Sequence, residues 1–207
     1  RAVVGIDPEP DMLARARQVA AERGVINTSW LIGADTDIAA VGALLGPRSL
    51  GAVTIAQALH WMNHDELFRA LAPLVRPGGG VAVVTNGTPL WLQDTDWSRA
   101  LRDTLQRWMD TELTRTCGTD EPSQRRYADA LAAAGFEVAT DSVDYTDTLD
   151  LDRIVGGVYS ALSVDQLPAP ERRPHFAELI RRALAPHAPF TEHVEVTLLT
   201  GRWAAVA

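Results

Sequence analysis

Val3-Val4-Gly5-Ile6-Asp7-Pro8-Glu9-Pro10 is the stretch that decides the fold of this chain. A short apolar run ends in a carboxylate, and two prolines follow. A helical pattern then runs from Met12 to Arg23 and stops at Gly24. An apolar run of strand length, bounded by turn residues and followed at once by a helix, reads as a buried strand feeding a βα unit. The same alternation continues outward. Ser29–Ile32 reads as a second strand and Ile38–Leu45 as a short helix, broken by Gly46-Pro47-Arg48. Leu50–Ala56 reads as a third strand. His64–Val75 reads as a helix closed by Arg76-Pro77-Gly78-Gly79, and Gly80–Thr85 as a fourth strand. Such a rhythm implies right-handed βαβ crossovers and a parallel sheet.

After Asn86 the rhythm changes. Trp91, Trp97, Leu101, Leu105 and Trp108 keep a rough helical spacing through a polar stretch, which predicts an inserted helical element. Ser123–Ala134 reads as a helix with Gly135 as its stop, Phe136–Tyr145 as a strand, Leu151–Leu162 and Pro170–Leu184 as helices, and His193–Trp203 as a final strand.

Composition excludes several classes. The 207 residues suit one domain, and 46% hydrophobic with 22% charged residues is ordinary for a globular chain. The net charge of -8 argues against nucleic acid as the main partner. No apolar run reaches membrane-spanning length, so no membrane partner is expected. All 19 basic residues are Arg. Without Lys there is no Schiff-base lysine and no Walker-type phosphate lysine. The single Cys117 forms no internal disulfide, which fits a cytoplasmic setting.

The residues with chemical potential cluster after the strands. Asp7 ends the first strand, where open α/β sheets bind ligands and where a carboxylate can take a pair of ribose hydroxyls; an acid favoured by the helix dipole is the alternative. Asp35 and Thr36 follow the second strand, either meeting an adenine edge or capping a helix. Gln57-Ala58-Leu59-His60-Trp61 follows the third strand, and an aromatic loop there suits a substrate floor. His60 is either a general base or a structural imidazole. His60 and His64 have zinc-helix spacing but lack the intervening Glu, so no metal is expected. Arg76–Gly80 precedes a strand rather than opening a helix, so it reads as a tight turn and not a phosphate loop. Trp91, Trp97 and Trp108 are either lid or packing residues, and Gly156-Gly157 and Tyr159 share that ambiguity.

Taken in order, Val3–Pro8, Gly33-Ala34-Asp35, Gln57–Trp61 and Leu74–Gly79 resemble the class I S-adenosylmethionine-dependent methyltransferases of the small-molecule type. The resemblance implies an α/β, Rossmann-like sheet with helices on both faces, in the order 3-2-1-4-5-7-6, with the last strand antiparallel and helical cap insertions. It implies one domain over 1–207. Residues 1–85 would supply cofactor-binding βα units, 86–122 and 147–190 the cap elements, and 136–145 and 193–203 the C-terminal strands.

The resemblance also assigns residues. Asp7 would bind the ribose hydroxyls of S-adenosylmethionine, Pro8 and Met12 would pack near adenosine, Asp35 and Thr36 would meet the adenine, and Gln57 would lie near the methionine moiety. The family's first strand and glycine-rich loop have no counterpart in these residues. The expectation is therefore that an N-terminal segment is missing from the sequence, and that the second and fourth family strands flank a gap. The implied reaction is an in-line methyl transfer to a small-molecule acceptor, driven by alignment and desolvation, with His60 as candidate base. Two other readings stay open: an NAD(P)-binding Rossmann oxidoreductase and a non-catalytic methyltransferase-like interaction module.

Overall fold

The computed structural model describes residues 1–163 and 166–204. Its strands are β1 (Val3–Asp7), β2 (Thr28–Ile32), β3 (Leu50–Ala56), β4 (Val75–Asn86), β5 (Glu137–Leu149) and β6 (Phe190–Arg202). Its helices are α1 (Pro10–Glu22), α2 (Ile38–Leu45), α3 (His64–Leu71), α4 (Asp96–Met109), α5 (Glu121–Ala133), α6 (Leu151–Ala161) and α7 (Arg173–Leu184). The strands form two sheets among the described residues. β1 pairs with β2 in parallel, and a four-stranded sheet has the order β3-β4-β6-β5. β3 and β4 are parallel, while β6 runs antiparallel to both β4 and β5. The two sheets match the 3-2 and 4-5-7-6 parts of the expected strand order, with the final strand antiparallel.

Two apolar cores hold this arrangement. On the four-stranded sheet, the β4 residues Val81 and Val83 are buried against Leu67, Phe68 and Leu71 of α3 and Leu131 of α5. The neighbouring Ala82 and Val84, which point to the opposite face, are only half-buried. The second core belongs to the cap. Trp97, Leu101 and Leu105 of α4 pack with Ile154 and Val158 of α6 and with Phe176 and Ile180 of α7. The β1–β2 unit is packed more thinly: Leu13 is the only buried residue of α1, and Val3 is 52% exposed. A hydrogen bond from the Asn63 backbone N–H to Asp35 Oδ2, at 3.0 Å, ties this unit to the start of α3.

Several sequence expectations need correction. β4 starts at Val75 and not Gly80, because fully buried Val75 already pairs with Leu50. The ladder then skips residues 76–79 and resumes with Gly80 opposite Ala52. The expected tight turn thus exists as an excursion within the strand, with Gly78 at φ +73°. The helix expected to reach Val75 ends at Leu71 and continues as a 3-10 turn, Ala72–Leu74. β5 and β6 run past 136–145 and 193–203 to a last pair, Leu149 with Phe190. Both of those side chains are buried in the cap core and anchor the extension. The cap segment 147–190 includes Val164 and Asp165, which lie outside the described residues. No described helix is long and apolar enough to cross a membrane.

Candidate active site

The C-terminal ends of β1, β2, β3 and β4 carry the candidate residues. Asp7 ends β1, half-buried, and its Oδ1 accepts the Glu9 N–H at 2.8 Å. One oxygen therefore serves the turn into α1, as the helix-start alternative required, and the other has no partner among the described residues. Pro8 is exposed beside it, and Met12 is 57% exposed on α1. Asp35 begins a 3-10 turn, Asp35–Asp37, after β2. Its Oδ2 is spent on Asn63, which leaves Oδ1 without a partner among the described residues, and Thr36 is exposed. The sequence reading passed over Asp37, whose carboxylate caps the turn by accepting the Ala34 N–H at 2.9 Å.

Gln57 follows β3 in a left-handed conformation, φ +48°, unusual for a residue with a side chain. Its backbone N–H donates to the Val84 carbonyl and its Nε2 to the Asn86 carbonyl, both at 3.0 Å. This pins the β3 loop to the end of β4 and leaves the Gln57 side-chain oxygen unengaged among the described residues. Backbone strain of this kind, held by surrounding bonds, is a feature of ligand-binding turns.

Gln57, His60 and Trp61 form one wall of a cavity of about 340 Å³. Asn86 and Thr88 after β4 continue it, and the cap closes it with Trp91, Leu149 and Gly157. Asp7, Pro8, Met12, Asp35 and Thr36 do not line this cavity. The structure thus sorts the predicted residues into a β1–β2 group and a β3–β4 group, and of the predicted cofactor-binding residues only Gln57 touches the cavity.

His60 is half-buried in the 3-10 turn Leu59–Trp61, with its ring centroid 5.1 Å from that of Trp61. Burial lowers its pKa below the ordinary imidazole range, and the Arg115 charge lowers it further. It is a neutral imidazole near pH 7, able to accept a proton. The Arg115 guanidinium lies 3.7 Å over the exposed Trp61 ring. Cys117 also lines the cavity, but burial pushes its thiol pKa up, outweighing the opposing effect of Arg115. It stays a protonated thiol rather than a nucleophile.

The tryptophan question divides. Trp97 is 3% exposed, and its Nε1 donates to the Thr191 carbonyl, so it is a packing residue. Trp108 packs on Phe176 at 4.9 Å. Trp91 packs too, at 1% exposure with Nε1 donating to the Arg115 carbonyl, yet it also lines the cavity. Gly157 lines the cavity as well, and a Cβ there would meet Leu90 Cδ1 at 2.7 Å. Tyr159 faces away from it, donating to the Arg173 carbonyl. The sequence reading missed Asn86, Arg115, Arg153 and Glu192. Asn86 was within reach, because it ends a strand just as Asp7 does.

Comparison with known proteins fits this architecture. Residues 1–79 match a family model described as a methyltransferase domain. A comparison with curated proteins gives no match. Among solved structures, the YcgJ protein from Bacillus subtilis is similar with a TM-score of 0.56 at 14% identity, covering 98% of this chain and 82% of that one. A provisionally assigned methyltransferase from Bacillus halodurans gives 0.55 at 15%, covering 99% and 84%. The [4+2]-cyclase SpnF gives 0.52 at 15%, covering 99% and 67%. At such identities the likeness establishes the fold, and the cyclase shows that the chemistry must be argued from the site. Residues 1–79 thus resemble a methyltransferase domain, and the fold is Rossmann-like, similar to that of solved methyltransferase structures.

Proposed function

We propose that this protein transfers the methyl group of S-adenosylmethionine to a small-molecule acceptor held in the cavity between the β3–β4 edge and the cap. The observation that carries the reading is the cavity itself. It is enclosed on one side by cap residues with their own apolar core, and on the other by the strand-end loop that carries Gln57 and His60. A volume of about 340 Å³ is at the small end of ligand pockets.

The residues present fit the cofactor. Asp7 and Asp35 each keep one free carboxylate oxygen at strand ends, and Gln57 keeps its side-chain carbonyl oxygen. In this reading Asp7 takes the ribose hydroxyls, Asp35 and Thr36 meet the adenine edge, and Pro8 and Met12 pack beside the adenosine. Gln57 stands between cofactor and acceptor. The cofactor supplies an electrophilic methyl group when bound. The protein aligns the acceptor and excludes water, with Trp91, Leu90 and Leu149 as dry walls. His60, neutral at working pH, takes the proton that the accepting atom gives up. A reducing cytoplasm, suggested by the single Cys117, is the proposed setting.

Thermal unfolding with and without ligand tests this reading. S-adenosylmethionine raises Tm and NADPH does not, because only a ligand that binds the native state stabilises it. A shift with NADPH alone would assign the chain to the oxidoreductases instead.

A further inference from the structure

One wall of the cavity is charged, and the methyl-transfer chemistry does not use it. Glu192, half-buried near the start of β6, lines the cavity together with the Gln57–His60 loop. β6 pairs Val196 with Asn86 at the end of β4, so Glu192 lies four residues past the β4 ladder, about 13 Å at strand rise, still paired with Asp147 of β5. Gln93 holds it in place: Nε2 donates to Glu192 Oε2 at 2.9 Å and approaches the Thr88 carbonyl at 3.4 Å. Glu192 Oε1 has no hydrogen-bond partner among the described residues. The side chain is thus oriented by a neutral amide, and Oε1 stays open to a further donor.

The nearby cations are committed elsewhere. Arg153, also in the wall, donates to Asp147 Oδ2 at 2.6 Å and to the Thr148 carbonyl at 3.1 Å. Its charge is balanced by Asp147, although it also feels Glu192. His193 also lines the cavity, but its side chain is 70% exposed, with Nε2 3.7 Å from Asp144. His60 is neutral. The cavity lining therefore combines apolar surface from Trp91, Leu90 and Leu149, a proton acceptor in His60 and, in Glu192, a carboxylate whose Oε1 has no partner among the described residues. A carboxylate in a half-buried site rewards a cationic hydrogen-bond donor and disfavours an anion.

We propose that Glu192 selects acceptors that carry a protonated amine in addition to the atom that receives the methyl group. The proposal rests on the methyltransferase reading, and its test separates the two.

The full chain, saturated with S-adenosylhomocysteine, is titrated by calorimetry with tyramine and with 3-(4-hydroxyphenyl)propionate. These probes share a phenol ring and differ in the charge of the tail. Tyramine binds at least tenfold more tightly. Glu192→Gln keeps the Gln93 contact but weakens tyramine about tenfold, while the propionate stays within twofold or tightens. Glu192→Asp, the control if the amide variant fails to fold, keeps the preference for the amine. Equal or tighter binding of the propionate, an unchanged tyramine affinity in Glu192→Gln, or no binding of either probe overturns the proposal. If S-adenosylhomocysteine itself fails to bind, the methyltransferase reading falls first. If it binds and the amine preference is absent, only the assignment of Glu192 falls.

Discussion

His60 shows how much a single side chain gains from its neighbours. Burial, aided by Arg115, holds its imidazole in the neutral form, so kcat rises with pH on an acid limb that lies below the usual imidazole range. Replacing Arg115 with Gln removes the smaller of the two causes and moves that limb upward in pH. A limb that does not move would show that Arg115 has no hold on His60. His60→Ala lowers kcat by about 10²–10⁴-fold if the imidazole takes the acceptor proton. The same shift has a stability consequence. As pH falls through 6.5, the unfolded chain takes up a proton that the folded chain resists, so stability falls. At this scale the places of Asp7 and Gln57 were legible, because Asp7 ends β1 and Gln57 follows β3 directly, with His60 in the same loop. Nothing in the sequence hinted at Glu192, Gln93 or Arg153, which come together only when β6, the β4–α4 loop and α6 meet in space.

At the scale of elements, glycine spacing explains why β4 and β6 lie so close. A Cβ on Gly80 would collide with the Gly201 carbonyl oxygen across the ladder. Gly80→Ala therefore lowers stability in urea unfolding by about 1–3 kcal/mol, the usual cost of overpacking. An unchanged midpoint would mean that the two strands separate more readily than the pairing of Gly80 with Arg202 implies. Element boundaries were legible where the apolar pattern is strong. Leu50–Ala56 and Ile38–Leu45 were read with the bounds they have. The pattern failed where residues 140–148 of β5 are mostly Asp and Thr on an exposed edge, so the end of that strand could not be read. It failed again at Val75, where the strand begins before its own excursion.

For the whole molecule, the division of the sheet is the dominant physical fact. β1 and β3 each have a single strand neighbour among the described residues, and the β1–β2 unit leaves Val4 43% and Ile32 67% exposed. Such thin packing predicts local opening well below the global stability. Hydrogen exchange should therefore find the β1–β2 amides exchanging faster than those shared by β4 and β6, and equal protection would refute this. The order of strands was legible from the sequence only through the family resemblance, since periodicity gives elements but not their neighbours. The central claim remains that Asp7 and its surroundings bind S-adenosylmethionine. Calorimetric titration of the wild-type chain and of Asp7→Ala with S-adenosylhomocysteine tests it most directly. The account predicts saturable one-site binding that the substitution weakens about tenfold or more, the worth of a hydrogen bond to a charged group. Equal affinity in a folded Asp7→Ala variant, or no binding to the wild type, would contradict it.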